Sequence, residues 1–388
     1  MSAAKGIPTS ATPRSLAWLE RLVRTDSVNP ALVQGAAGEG AVADLVATWG
    51  EQRGLEVTRL EPQAGRPSVV LVARGSGGGA SLLLDAHLDT VGVEGMDAPF
   101  EPRVEDGRLY GRGALDMKAG LAAAMSALEA AAAADLRGDV LLAAVADEEH
   151  ASVGTEAVLE RFGADAAIVT EPSNLELHLA HRGFAVFDLQ TLGVASHTSQ
   201  PERGVNAVTH MGRVLAGIER LQAALTERAP HPLTGHGVAQ VVRIEGGEQL
   251  FVTPAACGAS YERRTLPGET RAQVEAEVQA VLQGAAQGAT GFRGHAELTL
   301  LREPFEVDPS ARIVRLTTAH ARRVLGREPV VAGAPYWTDA ALLQAAGIPT
   351  LVLGPSGQGM HAADEHVELS SVAALEAILD GVIAEFCA

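Results

Sequence analysis

Four short apolar runs in this chain each lead directly into acidic or imidazole side chains. Leu82 to Leu84 run into Asp85-Ala86-His87-Leu88-Asp89-Thr90, and Val140 to Val145 run into Asp147-Glu148-Glu149. Ala166 to Thr170 run into Glu171-Pro172, and Leu351 to Leu353 into Gly354-Pro355 and then His361. Continuous apolar runs of this length read as strands buried on both faces, which need helices on either side of the sheet. In open α/β sheets ligands bind outside the carboxyl ends of the strands. The pattern therefore demands an α/β sheet that collects carboxylates and imidazoles along one edge.

The rest of the chain agrees with that demand. Helical spacing over Ser15 to Val23, Gly40 to Gly50, Met117 to Leu136 and Thr155 to Arg161 alternates with the strand runs, and Ser68 to Ala73 adds a further strand. From Gly183 to Leu301 the order changes to strand, helix, two strands, helix and strand, which reads as an inserted α+β domain. Beyond Pro309, a helix over Arg312 to Leu325, a helix over Asp339 to Ala346 and the Ile348 to Leu353 strand return to the α/β pattern. The expected organisation is a discontinuous domain over residues 1–182 and 302–388, interrupted by a second domain over 183–301.

Composition narrows the function. At 388 residues the chain exceeds what one core comfortably serves, consistent with two domains. With 48 acidic against 30 basic residues the formal charge is -18, which argues against nucleic acid and anionic membrane as partners. No stretch of about 20 apolar residues is free of charge or glycine, since the Ala-rich run carries Lys118, Glu129 and Asp135. The first fifteen residues read as a loose arm without an apolar targeting core. Cys257 and Cys387 are too few for a disulfide framework, so a cytoplasmic, reducing location is expected.

Taken singly, each polar residue has an ordinary explanation: a hydrogen-bonded histidine, a solvated Glu-Glu pair, or Asp116 as a helix N-cap. Together they do not. Several carboxylates buried at one edge repel one another and raise their own pKa values unless cations neutralise them. Two histidines with several carboxylates suit a borderline divalent ion, zinc first, with cobalt and manganese as alternatives. The number of donors suggests two ions bridged by a carboxylate. Asp89, two residues beyond His87, is expected to accept from the second imidazole nitrogen. Of Glu148 and Glu149, one would ligate and the other act as base, and their spacing leaves the choice open.

These motifs, with Gly111-Arg112-Gly113-Ala114-Leu115-Asp116-Met117-Lys118 and Thr170-Glu171-Pro172, resemble the M20 metallopeptidases. That group holds acetylornithine deacetylases, succinyl-diaminopimelate desuccinylases, aminoacylases and glutamate carboxypeptidases. The resemblance runs from about residue 15 to 385 in the family's order. It implies a mixed-sheet di-zinc hydrolase catalytic domain with an inserted lid and dimerisation domain. It also implies a zinc pair bridged by Asp116, with His87 and Glu171 on one ion and Glu149 and His361 on the other. Glu148 would be the general base, Asp89 the carboxylate that orients His87, and the Asp116–Met117 peptide bond cis.

Within the insert, Ala195-Ser196-His197-Thr198-Ser199 and Gly204-Val205-Asn206-Ala207 look like the family's lid. His197 would then stabilise an oxyanion in a partner subunit, Asn206 would lie on the substrate, and a homodimer is implied. Glu262-Arg263-Arg264-Thr265-Leu266-Pro267-Gly268 is similar to the segment in which the second arginine, here Arg264, grips a substrate carboxylate. One departure bears on specificity: Phe251 stands where the family often has Asn, and an aromatic ring cannot reproduce an amide's hydrogen bonds. Glu262 stands where Asp is commoner, and Gly354-Pro355-Ser356-Gly357 is a looser form of the family's Gly-Pro-Gly. The implied activity is hydrolysis of an amide bond beside a free carboxylate, in an N-acyl amino acid or a short peptide. A deacylase is the first reading, a carboxypeptidase or dipeptidase the second, and a silent metal-holding binding protein the third.

Overall fold

The computed structural model describes residues 11–388, which divide into two compact units. The first comprises the chain up to Leu179 together with Val307–Ala332 and Thr338–Ala388; the second comprises Ala180–Glu306 and Gly333–Trp337.

The first unit is an α/β fold on a mixed sheet. Its strands lie in the order Glu56–Gln63, Arg66–Ala73, Val140–Val145, Leu82–His87, Ala166–Val169, Thr350–Val352 and Leu177–His181. Val140–Val145, Leu82–His87, Ala166–Val169 and Thr350–Val352 are mutually parallel, so all four carboxyl ends emerge at one edge. Every residue of Arg66–Ala73, Leu82–His87 and Val140–Val145 is buried. Because successive strand side chains point to opposite faces, both faces of this region are covered. Helix Lys118–Ala132 packs on the sheet and is covered in turn by Leu369–Phe386 and by Leu16–Arg24.

Several elements escape the sequence pattern. Glu56–Gln63 is an edge strand whose sequence EVTRLEPQ is mostly exposed and interrupted by Glu56, Arg59 and Glu61, which hides its apolar period. Leu177–His181 is short and enclosed by turns, and the C-terminal helix Leu369–Phe386 is apolar on most sides because it is buried. The run expected as a helix from Met117 to Leu136 spans Lys118–Ala132. The expected N-terminal arm lies in part outside the described residues. Its last residues are tied down: the N–H groups of Arg14 and Ser15 donate to Glu376 at 3.0 and 2.9 Å.

The second unit is an antiparallel sheet in the order Val238–Gly246, Ala256–Thr265, Gly183–Leu192 and Arg293–Arg302. Helices Ala207–Glu227 and Arg271–Ala286 close its core around Phe187, Leu189, Met211, Val214, Tyr261 and Val278. Burial alternates along Gly183–Leu192, as expected of a sheet with one face packed and one face open. Among the described residues, no helix is long and apolar enough to cross a membrane.

Candidate metal centre

The parallel register of the first unit sets the site. Strand Leu82–His87 ends on His87, the loop after Val140–Val145 carries Glu148 and Glu149, Glu171 follows Ala166–Val169, and His361 lies beyond Thr350–Val352. Asp116 closes the Gly111–Met117 loop immediately before helix Lys118–Ala132, and its peptide bond to Met117 is cis. Two glycines let these pieces approach Glu171. A Cβ at Gly120 would lie 2.1 Å from the Thr170 carbonyl oxygen, and one at Gly354 would lie 2.0 Å from that of Glu171.

Asp116 presents its two oxygens to two different histidines. Oδ1 is 3.1 Å from His87 Nε2, which is also 3.3 Å from Glu171 Oε1. Oδ2 is 3.0 Å from His361 Nε2, which is also 3.2 Å from Glu149 Oε2. The six donors thus form two triads that share one carboxylate. Glu148 is drawn to the first triad: a ligand-capable oxygen of Glu148 and atoms of His87 and Glu171 lie within 4.8 Å of one another. Glu149 is the member of the pair that reaches His361, which distinguishes two residues that sequence spacing left equivalent.

Electrostatics follow from burial. The Glu148 carboxyl is driven well above the usual range, first by desolvation and then by Glu171, while Glu171 is pushed up to about 7 by burial and by Asp116. Burial also works against ionised Asp116, yet hydrogen bonds from His361 and His87 outweigh it and hold its pKa below the ordinary range. His361 is raised to about 10 by its hydrogen bonds to Asp116 and Glu149. Glu149 Oε1 is buried with no hydrogen-bond partner among the described residues. Four glutamate and aspartate carboxylates, one of them with an orphaned oxygen, and two imidazoles form a donor set that fits divalent cations.

The position of Asp89 differs from expectation. His87 Nδ1 is 3.0 Å from the backbone carbonyl of Asp89, while the carboxylate stands 3.7 Å away. The chain leaves the strand after His87, so alternation no longer aligns the two side chains. The Asp89 carboxylate instead accepts the backbone N–H groups of Glu148 and Glu149, both at 3.2 Å, and the Asn29 amide at 2.8 Å.

The remaining expected residues lie in the second unit. His197 Nδ1 contacts Ser199 Oγ at 2.8 Å, and His197 bridges Val252 through backbone pairing. Asn206 caps helix Ala207–Glu227, its side-chain oxygen accepting from Thr209 N at 3.0 Å. Arg264 donates to Glu262 at 2.6 Å and lies 5.1 Å from the Phe184 ring centroid. Its neighbour Arg263 is fully buried, donating to Glu269 and Glu277 at 2.7 and 2.9 Å, and is a structural cation rather than a surface charge. Trp337, also in this unit, donates to the Glu303 carbonyl at 3.0 Å.

Sequence reasoning missed a layer of buried polar residues behind the ligands: Asn29, Glu39, Arg66, Arg112 and Glu365. The available signal was weak, a lone charged residue beside an apolar run, as at Arg66 before Pro67-Ser68-Val69-Val70. Lys118, one of two lysines in the chain and conspicuous for that in the sequence, belongs to the same layer. It is fully buried, donates to the Thr25 carbonyl at 2.8 Å, and is pushed down to about 8 by desolvation.

Known proteins share this architecture. Acetylornithine deacetylase from Salmonella arizonae is 29% identical over 380 residues, covering 94% of this chain and 96% of that protein. Aminopeptidase PepT from Bacillus cereus superposes with a TM-score of 0.80 at 20% identity, covering 98% of this chain and 100% of that one. The Bacillus subtilis YXEP protein, described as a dinuclear metal-binding peptidase of the M20 family, gives 0.74 at 17% identity, covering 96% and 98%. At these identities the two structures speak for the fold alone. The model of peptidase family M20/M25/M40 matches residues 83–385, and with most of its length inside that match the chain belongs to this family of hydrolases.

Proposed function

We propose that the protein is a metal-dependent amidohydrolase that cleaves an amide bond beside a free carboxylate, as an N-acyl-amino-acid deacylase of the acetylornithine deacetylase type. The observation that carries this reading is the division of the Asp116 carboxylate between His87 and His361, each joined by its own glutamate. His87, Asp116 and Glu171 would hold one ion and His361, Asp116 and Glu149 the other, zinc being the best match to this donor set. A bound pair supplies Lewis acidity that polarises an acyl carbonyl and makes water nucleophilic near neutral pH.

The chain's own residues do the rest. Glu148, half-buried and with its pKa raised, suits a base that takes the attacking water's proton and returns it to the leaving amine. Asp89 holds the Glu148–Glu149 turn through two backbone N–H groups. The second domain, 183–301 in the sequence reading, is proposed as lid and dimerisation domain. In it His197 would stabilise the oxyanion in a partner subunit and Arg264 would bind the substrate carboxylate with its planar fork. Asn206 would act there through the helix it caps. Dimer formation is supported by the edge strand Val238–Gly246, which leaves Val242 59% and Ile244 51% exposed. The free, buried Cys257 and Cys387 suit a cytoplasmic location.

The acyl side is proposed to be apolar. Leu250 and Phe251 are 83% and 71% exposed in the segment paired with His197, where a polar amide would favour a small polar acyl group. A carboxypeptidase or dipeptidase needs the same centre and differs only in what this segment meets. The test is turnover by metal-stripped and zinc- or cobalt-reconstituted protein on N-acetyl amino acids, longer N-acyl amino acids and dipeptides. Metal-dependent release of a free amino acid from the acylated substrates supports the deacylase, and preference for dipeptides replaces it with the peptidase. Metal binding without turnover of any of them counts against both.

A further inference from the structure

Asn29 is fully buried, 60 residues before the nearest carboxylate it serves. Its backbone N–H donates to the Thr90 carbonyl at 2.8 Å, and Thr90 N–H donates to the Ser27 carbonyl at 3.0 Å. These bonds stitch the segment alongside the chain that carries His87 and Asp89. The side-chain amide nitrogen then donates to Asp89 Oδ2 at 2.8 Å and to Asp147 Oδ1 at 3.1 Å, while its oxygen accepts from Ala31 N at 2.9 Å. Both nitrogen partners are carboxylates, which only accept, so the amide can face them only this way round.

The contacts continue in both directions. Asp89 accepts the backbone N–H groups of Glu148 and Glu149. Asp147, the residue before them, has left-handed backbone with φ +70° and accepts from Arg66 Nη2 at 2.7 Å. Arg66 is clamped on Glu39 at 2.6 to 3.1 Å, and Glu39 accepts Asp147 N–H at 3.2 Å. Asp147 is thus held by charge on one side, and Asp89 holds the turn on the other. Only Asn29 joins the two, among the hydrogen bonds the described residues make.

Asp89, Asp147 and Glu39 bring three carboxylates to this layer; the Arg66 guanidinium pairs with Glu39 and Asp147, the His150 imidazole lies 3.6 Å from Asp147, and His87 and Lys118 face Asp89. A neutral group with two N–H donors satisfies Asp89 and Asp147 together without adding charge, whereas an acid would add a further negative charge and an apolar residue would leave both oxygens without this donor. We propose that Asn29 is a positioning residue that, through Asp89 and Asp147, fixes the turn carrying Glu148 and Glu149 relative to the other ligands. This rests on the reading of Glu148 as base and Glu149 as ligand.

The test compares Asn29→Ala and Asn29→Ser with the parent as cobalt-loaded proteins, with metal content, kcat, KM and the visible cobalt absorption recorded together. At full metal content, the alanine variant is expected to lose on the order of 10²-fold in kcat with KM changed less than about threefold, as for a small misplacement of reacting groups. Its cobalt bands should shift because Glu149 is displaced, and serine, which keeps one donor, should fall between. Parent-like kcat and bands in a loaded variant overturn the proposal. So does failure of both variants to fold, which assigns Asn29 to stability. The absorption reads the centre without substrate, so the positioning role is tested even where no substrate of the panel is turned over and the deacylase reading fails.

Discussion

Glu365 accepts the backbone N–H of Asp116 at 3.0 Å although 249 residues separate them in the chain. The same carboxylate takes N–H groups from Leu115 at 2.9 Å and Gly113 at 3.0 Å and the Arg112 guanidinium at 2.6 Å. A loop with no regular structure is thereby held rigid where it delivers the carboxylate shared by both triads. Glu365→Gln would turn an amide NH₂ toward N–H donors and leave Arg112 buried without its counter-charge. Loss of about 3 kcal/mol in stability is expected, with weaker metal retention. Denaturant unfolding and metal content check this, and a variant as stable and as well loaded as the parent contradicts it.

Glu148→Gln should retain its metal and lose about 10²- to 10⁴-fold in kcat, because the amide cannot take a proton. His197→Ala should also be nearly inactive. If His197 serves the partner's site, a refolded mixture of the two inactive variants recovers about one quarter of the parent activity, since half the dimers are mixed and each mixed dimer has one complete site. A mixture as inactive as its components sinks the role in trans.

Phe251 combines high exposure with φ +66°, a backbone conformation that Asn tolerates and bulky residues avoid. Its carbonyl accepts from Thr198 N at 3.1 Å, which keeps it beside His197. Phe251→Asn should leave the melting temperature unchanged or slightly higher. It should also move kcat/KM toward acetyl and away from long acyl groups by about tenfold, the size of a methylene-scale pocket change. An unchanged acyl-chain preference removes Phe251 from the specificity determinants.

The pH dependence of stability should invert with metal. In the metal-free chain burial raises Glu171 from 4.5 to about 7, and hydrogen bonds raise His361 from 6.5 to about 10. The folded state then binds more protons than the unfolded state, so stability contributed at low pH is lost as pH rises through these windows. Metal-loaded protein needs the donors deprotonated and gains over the same range. Melting curves of both forms from about pH 5 to about pH 9 should diverge as pH rises, and parallel curves contradict the assignment.

The sequence was most readable where a residue's role depends on its immediate neighbours. The runs at Leu82, Val140, Ala166 and Leu351 announce strands through continuous apolar character, and His87, Glu148, Glu149, Glu171 and His361 announce themselves by following them. The helix cap at Asn206 and the capping box at Thr270 and Gln273 are equally local patterns, yet the sequence reading placed Asn206 on the substrate and passed over the capping box. Glu56–Gln63 was missed because an exposed edge strand carries charge where a buried one carries valine.

By itself, then, the sequence determined the α/β class, the edge at which the polar residues gather, and the donors gathered there, because strand period and strand termini are written in adjacent residues. Strand spacing left Glu148 and Glu149 equivalent, and the family resemblance alone paired Glu149 with His361; only the tertiary structure decided that Asp89 holds a turn rather than an imidazole, and that Asn29, Arg66 and Glu365 stand behind the site. Those are hydrogen bonds between segments 59 to 249 residues apart. Their geometry is fixed by how the sheet and its loops pack, and a one-dimensional pattern carries no record of which distant groups will need one another once water is excluded.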